Sequence, residues 1–152
     1  MSMSTGSSDG GADGESLARR LERQIADLEA RHRIGPDKYC GLTPEEMSRA
    51  VVACHGGPHR PGEPVGFWPG IPRDAREGAL REAFGTGADV ERLRVMVQFF
   101  DQRVAKSLAV DWALPGPEFD RAVWKGLEHH YPELSDDARR VIAGNYSYSH
   151  AK

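Results

Sequence analysis

The sequence predicts an all-α protein: a single domain of about six helices packed around a long central helix at residues 88–110, preceded by a disordered tail. Apolar residues recur at steps of three and four in several segments, which is the period of an amphipathic helix. No run alternates apolar and polar residues cleanly over the length of a strand. Glycine and proline clusters separate the periodic segments, at 35–36, 56–58 and 115–117.

The central segment, residues 88–110, has the strongest helical pattern. Six residues form one apolar face: Val90, Leu93, Val97, Phe100, Val104 and Leu108. Met96 and Phe99 widen this stripe, and the opposite face is charged. Burying each large apolar side chain contributes roughly 1.5–3 kcal/mol before entropy is subtracted. We therefore expect the other helices to pack against this one.

The first predicted helix covers residues 16–33. Ser16 is the expected N-cap, and the pair Gly35-Pro36 ends the helix. Its apolar stripe is narrow and consists of Leu17, Leu21, Ile25 and Leu28. Because the remaining surface is charged, this stripe is expected to pack on the edge of the domain or on a second copy. A homodimer through the helix at 16–33 is therefore one predicted arrangement.

Four further helices are predicted from caps and periodicity. The clearest start is Thr43-Pro44-Glu45-Glu46, which combines a capping box with proline at the first helical position. Helices are also predicted at 74–84 and 117–130. The last helix should begin after Ser135 and end near Gly144, because Tyr148 lies off its apolar stripe.

Residues 55–72 form a loop of unusual composition, with five glycines and five prolines in eighteen residues. A flexible linker would be polar, but this loop also contains Val65, Phe67, Trp68 and Ile71. Apolar groups of this kind predict a loop that is ordered and attached to the domain, and long ordered loops often carry function.

Composition limits the class of protein. Residues 1–15 are mainly Ser, Gly and Asp, which predicts a disordered tail that is not a signal peptide. The net charge is −3, and without the three acids of this tail the chain is neutral, so nucleic acid is not the expected partner. No apolar run is long enough to span a membrane, and two cysteines are too few for a disulfide scaffold. We therefore expect a cytoplasmic protein.

Metal and catalytic patterns are weak. Cys54, His55 and His59 supply only half of a zinc module, and Gly56-Gly57-Pro58 prevents the two histidines from sharing a helix. A nucleophilic Cys54 would lie at a helix C-terminus, where the dipole disfavours a thiolate. No glycine segment matches a phosphate-binding motif. The sequence therefore predicts no metal, no cofactor and no catalytic residue.

Binding residues are predicted mainly in and beside the loop. Trp68, together with Phe67 and Arg60, is the strongest candidate, because Trp and Arg are common interface anchors. Phe67 and Trp68 could instead cover the base of the loop, so the sequence leaves open whether the loop is a lid or a plug. The full predicted set is His55, His59, Arg60, Phe67, Trp68, Tyr146 and Tyr148.

The leading functional hypothesis is a non-catalytic protein that binds another protein, as a regulatory, inhibitory or immunity-type adaptor. The alternative is a small helical enzyme or small-molecule-binding protein. Its pocket would lie between the central helix and the loop at 55–72, with His55, His59 and Arg60 as polar groups. A third hypothesis is a helical DNA-binding regulator that uses Arg139 and Arg140, although the adjacent Asp136-Asp137 would repel phosphate.

Overall fold

The computed structural model describes residues 4–60 and 62–152, and it describes side chains from residue 16 onwards. The protein is all-α, as predicted, and the described residues contain six helices and no strand. The helices are α1 (Ser4–Arg31), α2 (Pro44–Gly56), α3 (Arg73–Phe84), α4 (Val90–Leu108), α5 (Gly116–His130) and α6 (Asp136–Ala151). None of the described helices is long and apolar enough to cross a membrane.

The chain divides into two compact units, residues 1–35 and residues 36–152. The first unit contains α1, and the second contains α2 to α6. Helix α1 begins at Ser4, before the predicted N-cap Ser16, and ends at Arg31, so the helix predicted at 16–33 corresponds to its later part. Residues 1–3 of the predicted tail at 1–15 lie outside the described residues. The predicted domain boundary at residue 16 stays a prediction.

Helix α2 begins as the sequence predicts. The Thr43 amide donates to Glu46 Oε1 at 2.9 Å, and the Glu46 amide donates to Thr43 Oγ1 at 3.0 Å, which completes a capping box. The helix packs against α3, α4 and α6. Seven of its residues are consequently buried: Met47, Ser48, Ala50, Val51, Val52, Ala53 and Cys54.

Helix α4 is the predicted long central helix. Asp89 caps it by accepting a hydrogen bond from the Arg92 amide at 3.0 Å. Its buried side chains include most of the predicted stripe, namely Leu93, Met96, Val97, Phe100 and Val104. The helix packs against α2, α3 and α5, whereas α6 packs against α2 and α5, so the prediction that the other helices pack against the central helix is met only in part.

Helix α6 is longer than the sequence predicts, because it continues to Ala151 instead of ending near Gly144. Contacts with residues distant in the sequence hold its second half. The Tyr146 ring stacks on Trp112, and the His150 ring lies 4.0 Å from Phe119, centroid to centroid. Tyr148, which lies off the apolar stripe, is only half-covered, and it packs on a loop residue instead of the core.

Arg139 links the start of α6 to the end of α5. Its guanidinium donates to the carbonyl oxygens of Tyr131 at 3.2 Å, Pro132 at 3.1 Å and Leu134 at 2.7 Å. The same guanidinium pairs with Asp136. These contacts tie down the connection between the helices, and they occupy the arginine that a DNA-binding surface on α6 would require.

Candidate functional site

The loop at 55–72 is attached to the end of α2. Val65 and Ile71 are buried, and the Trp68 amide donates to the His55 carbonyl oxygen at 2.8 Å. Gly57 begins the loop with φ +73°, a conformation that favours glycine. Burial of these apolar residues attaches the loop to the domain. The sequence predicted an ordered loop for the same physical reason.

Phe67 and Trp68 have different surroundings. The Phe67 ring packs on Tyr148, with centroids 5.7 Å apart, and its Cβ lies against Gly144 on α6. Trp68 is 41% exposed, and its six-membered ring lies so close to Gly57 that a Cβ there would be 2.7 Å from it. Phe67 therefore covers the base of the loop, whereas Trp68 presents part of its ring to solvent.

The structure brings only some of the predicted site residues together. His55, Phe67 and Tyr148 form a continuous row of rings, in which His55 lies 6.3 Å from Phe67. His59 is exposed on the other side of Gly57 and lines a groove. Arg60 is exposed and lies 3.9 Å from Glu63 on the loop itself.

This groove, called the α2 groove here, has a volume of about 940 Å³. One face of α2 forms its floor, and α3 and the segment 133–137 form its walls. Val52, Ala53 and Ala79 lie at its floor and are almost fully buried, and the more exposed apolar lining comes from Pro44 and Pro58. The complete lining is Thr43, Pro44, Glu45, Ser48, Arg49, Val52, Ala53, Gly57, Pro58, His59, Ala79, Glu82, Ala83, Glu133, Ser135 and Asp137.

The lining of the α2 groove has more acidic than basic side chains: four carboxylates, from Glu45, Glu82, Glu133 and Asp137, and one arginine, Arg49. Three of the carboxylates also have a cationic neighbour, at 4.0 Å for Glu45 with Arg49, 3.7 Å for Glu133 with Lys38 and 3.1 Å for Asp137 with Arg140. Arg49 in addition donates to the Ala83 carbonyl oxygen at 2.7 Å and covers the Phe84 ring at 4.7 Å.

A neighbouring hydroxyl stabilises the ionised form of Glu133. The Tyr39 hydroxyl donates to Glu133 at 2.6 Å and lowers the pKa of the carboxyl, which keeps it ionised.

The sequence indicates this groove only in part. Glu45 and Asp137 each lie in the first turn of a helix, where an acidic side chain is favourable, and this local role predicts no groove. Their proximity in space results from the packing of α6 against α2, and residue spacing does not reveal it.

A second, smaller cavity of about 250 Å³ lies beside α4 and is called the α4 cavity here. At its wall, His55 Nε2 lies 2.8 Å from Asp101 Oδ2. The lining residues are His55, Asp101, Val104, Ala105, Ala109, Val110, Trp112, Ile142, Asn145, Tyr146 and Ser149.

The position of the α4 cavity differs from the pocket predicted between the central helix and the loop. Helix α6 forms the wall opposite α4, and of the predicted polar set only His55 lines the cavity, whereas His59 and Arg60 do not. The reason is the unpredicted second half of α6, which supplies Asn145, Tyr146 and Ser149.

Electrostatics in the α4 cavity follow from burial beside a carboxylate. Burial, and then the charge of Asp101, raise the pKa of Tyr146 to about 12, so its hydroxyl remains protonated at neutral pH. The Trp112 ring stacks on Tyr146, with centroids 5.9 Å apart and an angle of 17° between the planes.

The cysteines do not form a reactive centre. Cys40 and Cys54 are both buried. Burial raises the pKa of the Cys54 thiol to about 12, which disfavours the thiolate that nucleophilic chemistry requires. Within residues 16–60 and 62–152, no group of three or more His, Cys, Asp or Glu side chains is arranged to hold a metal ion.

Comparison with known proteins adds no assignment: no family model matches the chain, and neither a curated protein nor a solved structure does.

Proposed function

We propose that this protein is a non-catalytic binding protein that accepts a basic amphipathic helix of a partner protein in the α2 groove. The observation that carries the proposal is the combination of an apolar floor, at Val52, Ala53 and Ala79, with four carboxylates around it. A helix in a groove buries one apolar face and leaves its flanks near the rim. Lysine or arginine on those flanks would meet the carboxylates.

The dimensions of α2 fit this occupant. The thirteen residues of α2 extend for roughly 20 Å, which is the length of about three and a half helical turns. A partner helix of that length presents three or four apolar side chains to the floor. The groove volume is at the upper end of the roughly 300–1,000 Å³ typical of ligand pockets.

Trp68 supplies an anchor at the edge of the groove. Its ring lies against Gly57, which lines the groove, and 41% of the residue is exposed. A partner that covers this ring gains a large apolar contact at low cost in side-chain entropy. Trp68 thus keeps its predicted contact with a partner, but most of the proposed binding surface lies on α2 and not on the loop.

The test uses defined peptides and fluorescence anisotropy. An 18-residue peptide with leucine on one helical face and lysine on the other should bind at low salt. A peptide of the same composition with a scrambled order should not bind, and neither should the version with glutamate in place of lysine. Binding should weaken as salt increases, because the rim charges are exposed.

Two charge-reversal variants distinguish binding in the α2 groove from non-specific electrostatic attraction of the peptide. Glu82→Lys, on the groove wall, should lower affinity for the lysine peptide about tenfold. Glu118→Lys makes the same change of net charge on α5, outside the groove, and should leave affinity within about twofold. Equal losses in the two variants would show attraction without a site and would refute the proposal.

A second candidate interaction is a homodimer through α1. Leu17, Leu21, Ile25 and Leu28 are 36–52% exposed, which leaves the predicted apolar stripe available for pairing. Four half-exposed aliphatic side chains cover much less than the roughly 800 Å² per partner that stable interfaces bury. We therefore propose a weak dimer, with a dissociation constant above about 1 µM.

We also propose a cytoplasmic location. The buried thiol of Cys54 supports it, because domains in oxidising compartments generally pair their thiols or do without them. Fractionation of the source cells with an antibody against the protein tests this proposal, and recovery in a secreted fraction would contradict it.

A further inference from the structure

The α4 cavity has a charge pattern that is independent of the α2 groove. Its ionisable lining groups are Asp101 from α4, His55 from α2 and Tyr146 from α6, and the described lining residues include no lysine or arginine. The imidazole of His55 hydrogen-bonds one carboxylate oxygen of Asp101, at 2.8 Å. The second oxygen of that carboxylate is available, because Asp101 is about one-third exposed.

Asp101 makes the α4 cavity unfavourable for a second negative charge. After burial, the charge of Asp101 is the next cause that raises the pKa of Tyr146, which lines the same cavity. A carboxylate that disfavours a negative charge on this neighbour also disfavours an anionic ligand and favours a cation.

The rest of the lining suits an apolar body. Val104, Ala105 and Ile142 supply aliphatic surface, and Trp112 and Tyr146 supply a stacked aromatic wall. Aromatic faces attract organic cations, and this attraction adds to that of a carboxylate. The volume of about 250 Å³ is below the range typical of drug-sized ligands, so the occupant must be small.

We propose that the α4 cavity binds a small organic cation, with its ammonium group at Asp101 and its apolar or aromatic body against Trp112 and Tyr146. Asn145 and Ser149 supply further hydrogen-bonding groups at the same wall. His55 acts as a positioning residue, because its hydrogen bond to Oδ2 orients the carboxylate and leaves the other oxygen for the ligand.

Calorimetric titration of the full chain with phenethylamine tests this site, and 3-phenylpropionate serves as an anionic probe of nearly the same shape. Phenethylamine should bind with a dissociation constant of roughly 1 mM or lower, as expected for a ligand of nine heavy atoms. The anion should bind at least tenfold more weakly. Equal affinity for the two probes would overturn the proposal. So would the absence of binding heat with phenethylamine at about 10 mM, a roughly tenfold excess over the expected dissociation constant.

Variants then locate the bound cation. Asp101→Asn keeps the side-chain shape and should weaken phenethylamine binding by about 10–100-fold, because it removes a charge-assisted hydrogen bond. Asp74→Asn makes the same chemical change on α3, outside the cavity, and should leave binding unchanged. Trp112→Leu should weaken binding about threefold to tenfold, through loss of the aromatic face.

The melting temperature of each variant confirms that it is folded. If Asp101→Asn is folded and binds phenethylamine as tightly as the unmodified chain, the assignment of the ammonium group is wrong. Because the lysine peptide occupies a different part of the surface, its binding to Asp101→Asn should be unchanged, which keeps this test separate from that of the α2 groove.

Discussion

Replacing Arg139 by methionine should destabilise the unit formed by residues 36–152, and the structure allows the size of the effect to be worked out. The Arg139 side chain is 12% exposed and donates to three main-chain carbonyl oxygens in the α5–α6 connection. Methionine keeps the aliphatic stem and removes the donors. All three contacts come from one nitrogen, Nη1, which carries two hydrogens, so they amount to about two hydrogen bonds. Hydrogen bonds to a charged group contribute about 1.5–3 kcal/mol each, but water can reach some of the released carbonyl groups.

One feature reduces the expected loss. Arg139 Nε is buried and has no hydrogen-bond partner within the described part of the chain, and an unsatisfied donor costs about 1–3 kcal/mol. The substitution removes that cost as well as the hydrogen bonds from Nη1. We therefore expect the free energy of unfolding to fall by about 2–3 kcal/mol, which corresponds to a decrease of roughly 10 °C in melting temperature for a domain of this size.

Urea unfolding followed by circular dichroism measures this difference, and Arg140→Met is the matched control. Arg140 is the next residue on the same helix, is 58% exposed, and makes one ion pair, with Asp137 at 3.1 Å. Such a pair contributes about 0–1 kcal/mol. If the free energies of unfolding of the two variants differ by less than about 0.5 kcal/mol, the size of one exposed ion pair, the hydrogen bonds of Arg139 do not stabilise the α5–α6 connection.

Three further predictions follow from burial and backbone geometry. Cys54 should react with an alkylating reagent at pH 8 only at the rate of unfolding, because burial raises its pKa from 9.0 to about 12, and rapid labelling would contradict that burial. The contribution of the buried thiol to stability is present below pH 9 and is lost as the pH rises towards 12. Gly57→Ala should lower the melting temperature, because φ is +73° and the added Cβ meets the Trp68 ring, whereas Gly66→Ala, with open space around it, should cost less than half as much; similar losses would refute this comparison. Ile25→Glu should abolish concentration-dependent self-association in sedimentation equilibrium, and an unchanged dimer would exclude α1 as the interface.

The sequence predicts the helices well where the signal is local. The start of α2 follows from four adjacent residues that cap it, and the core face of α4 follows from side chains three and four positions apart. Both signals depend on neighbours within one helix, so they are visible before any packing is known.

The functional surfaces are less predictable because they combine distant segments. His55 and Asp101 are 46 positions apart, and no periodicity relates them. The end of α6 was misjudged because its contacts, such as Ser147 with Asp120 at 2.6 Å, come from α5. The α2 groove depends on outward-facing residues of α2 and α3, where a sequence pattern indicates only exposure to solvent.

The central claim is that the α2 groove is the binding surface, and amide chemical-shift mapping tests it most directly. The amides of the full chain would be followed while the 18-residue leucine–lysine peptide is titrated. We predict that the largest shifts occur at Val52, Ala53 and Ala79 on the groove floor and at Trp68 beside it. Shifts confined to residues outside the groove and Trp68, or shifts of equal size with the scrambled peptide, would contradict the account.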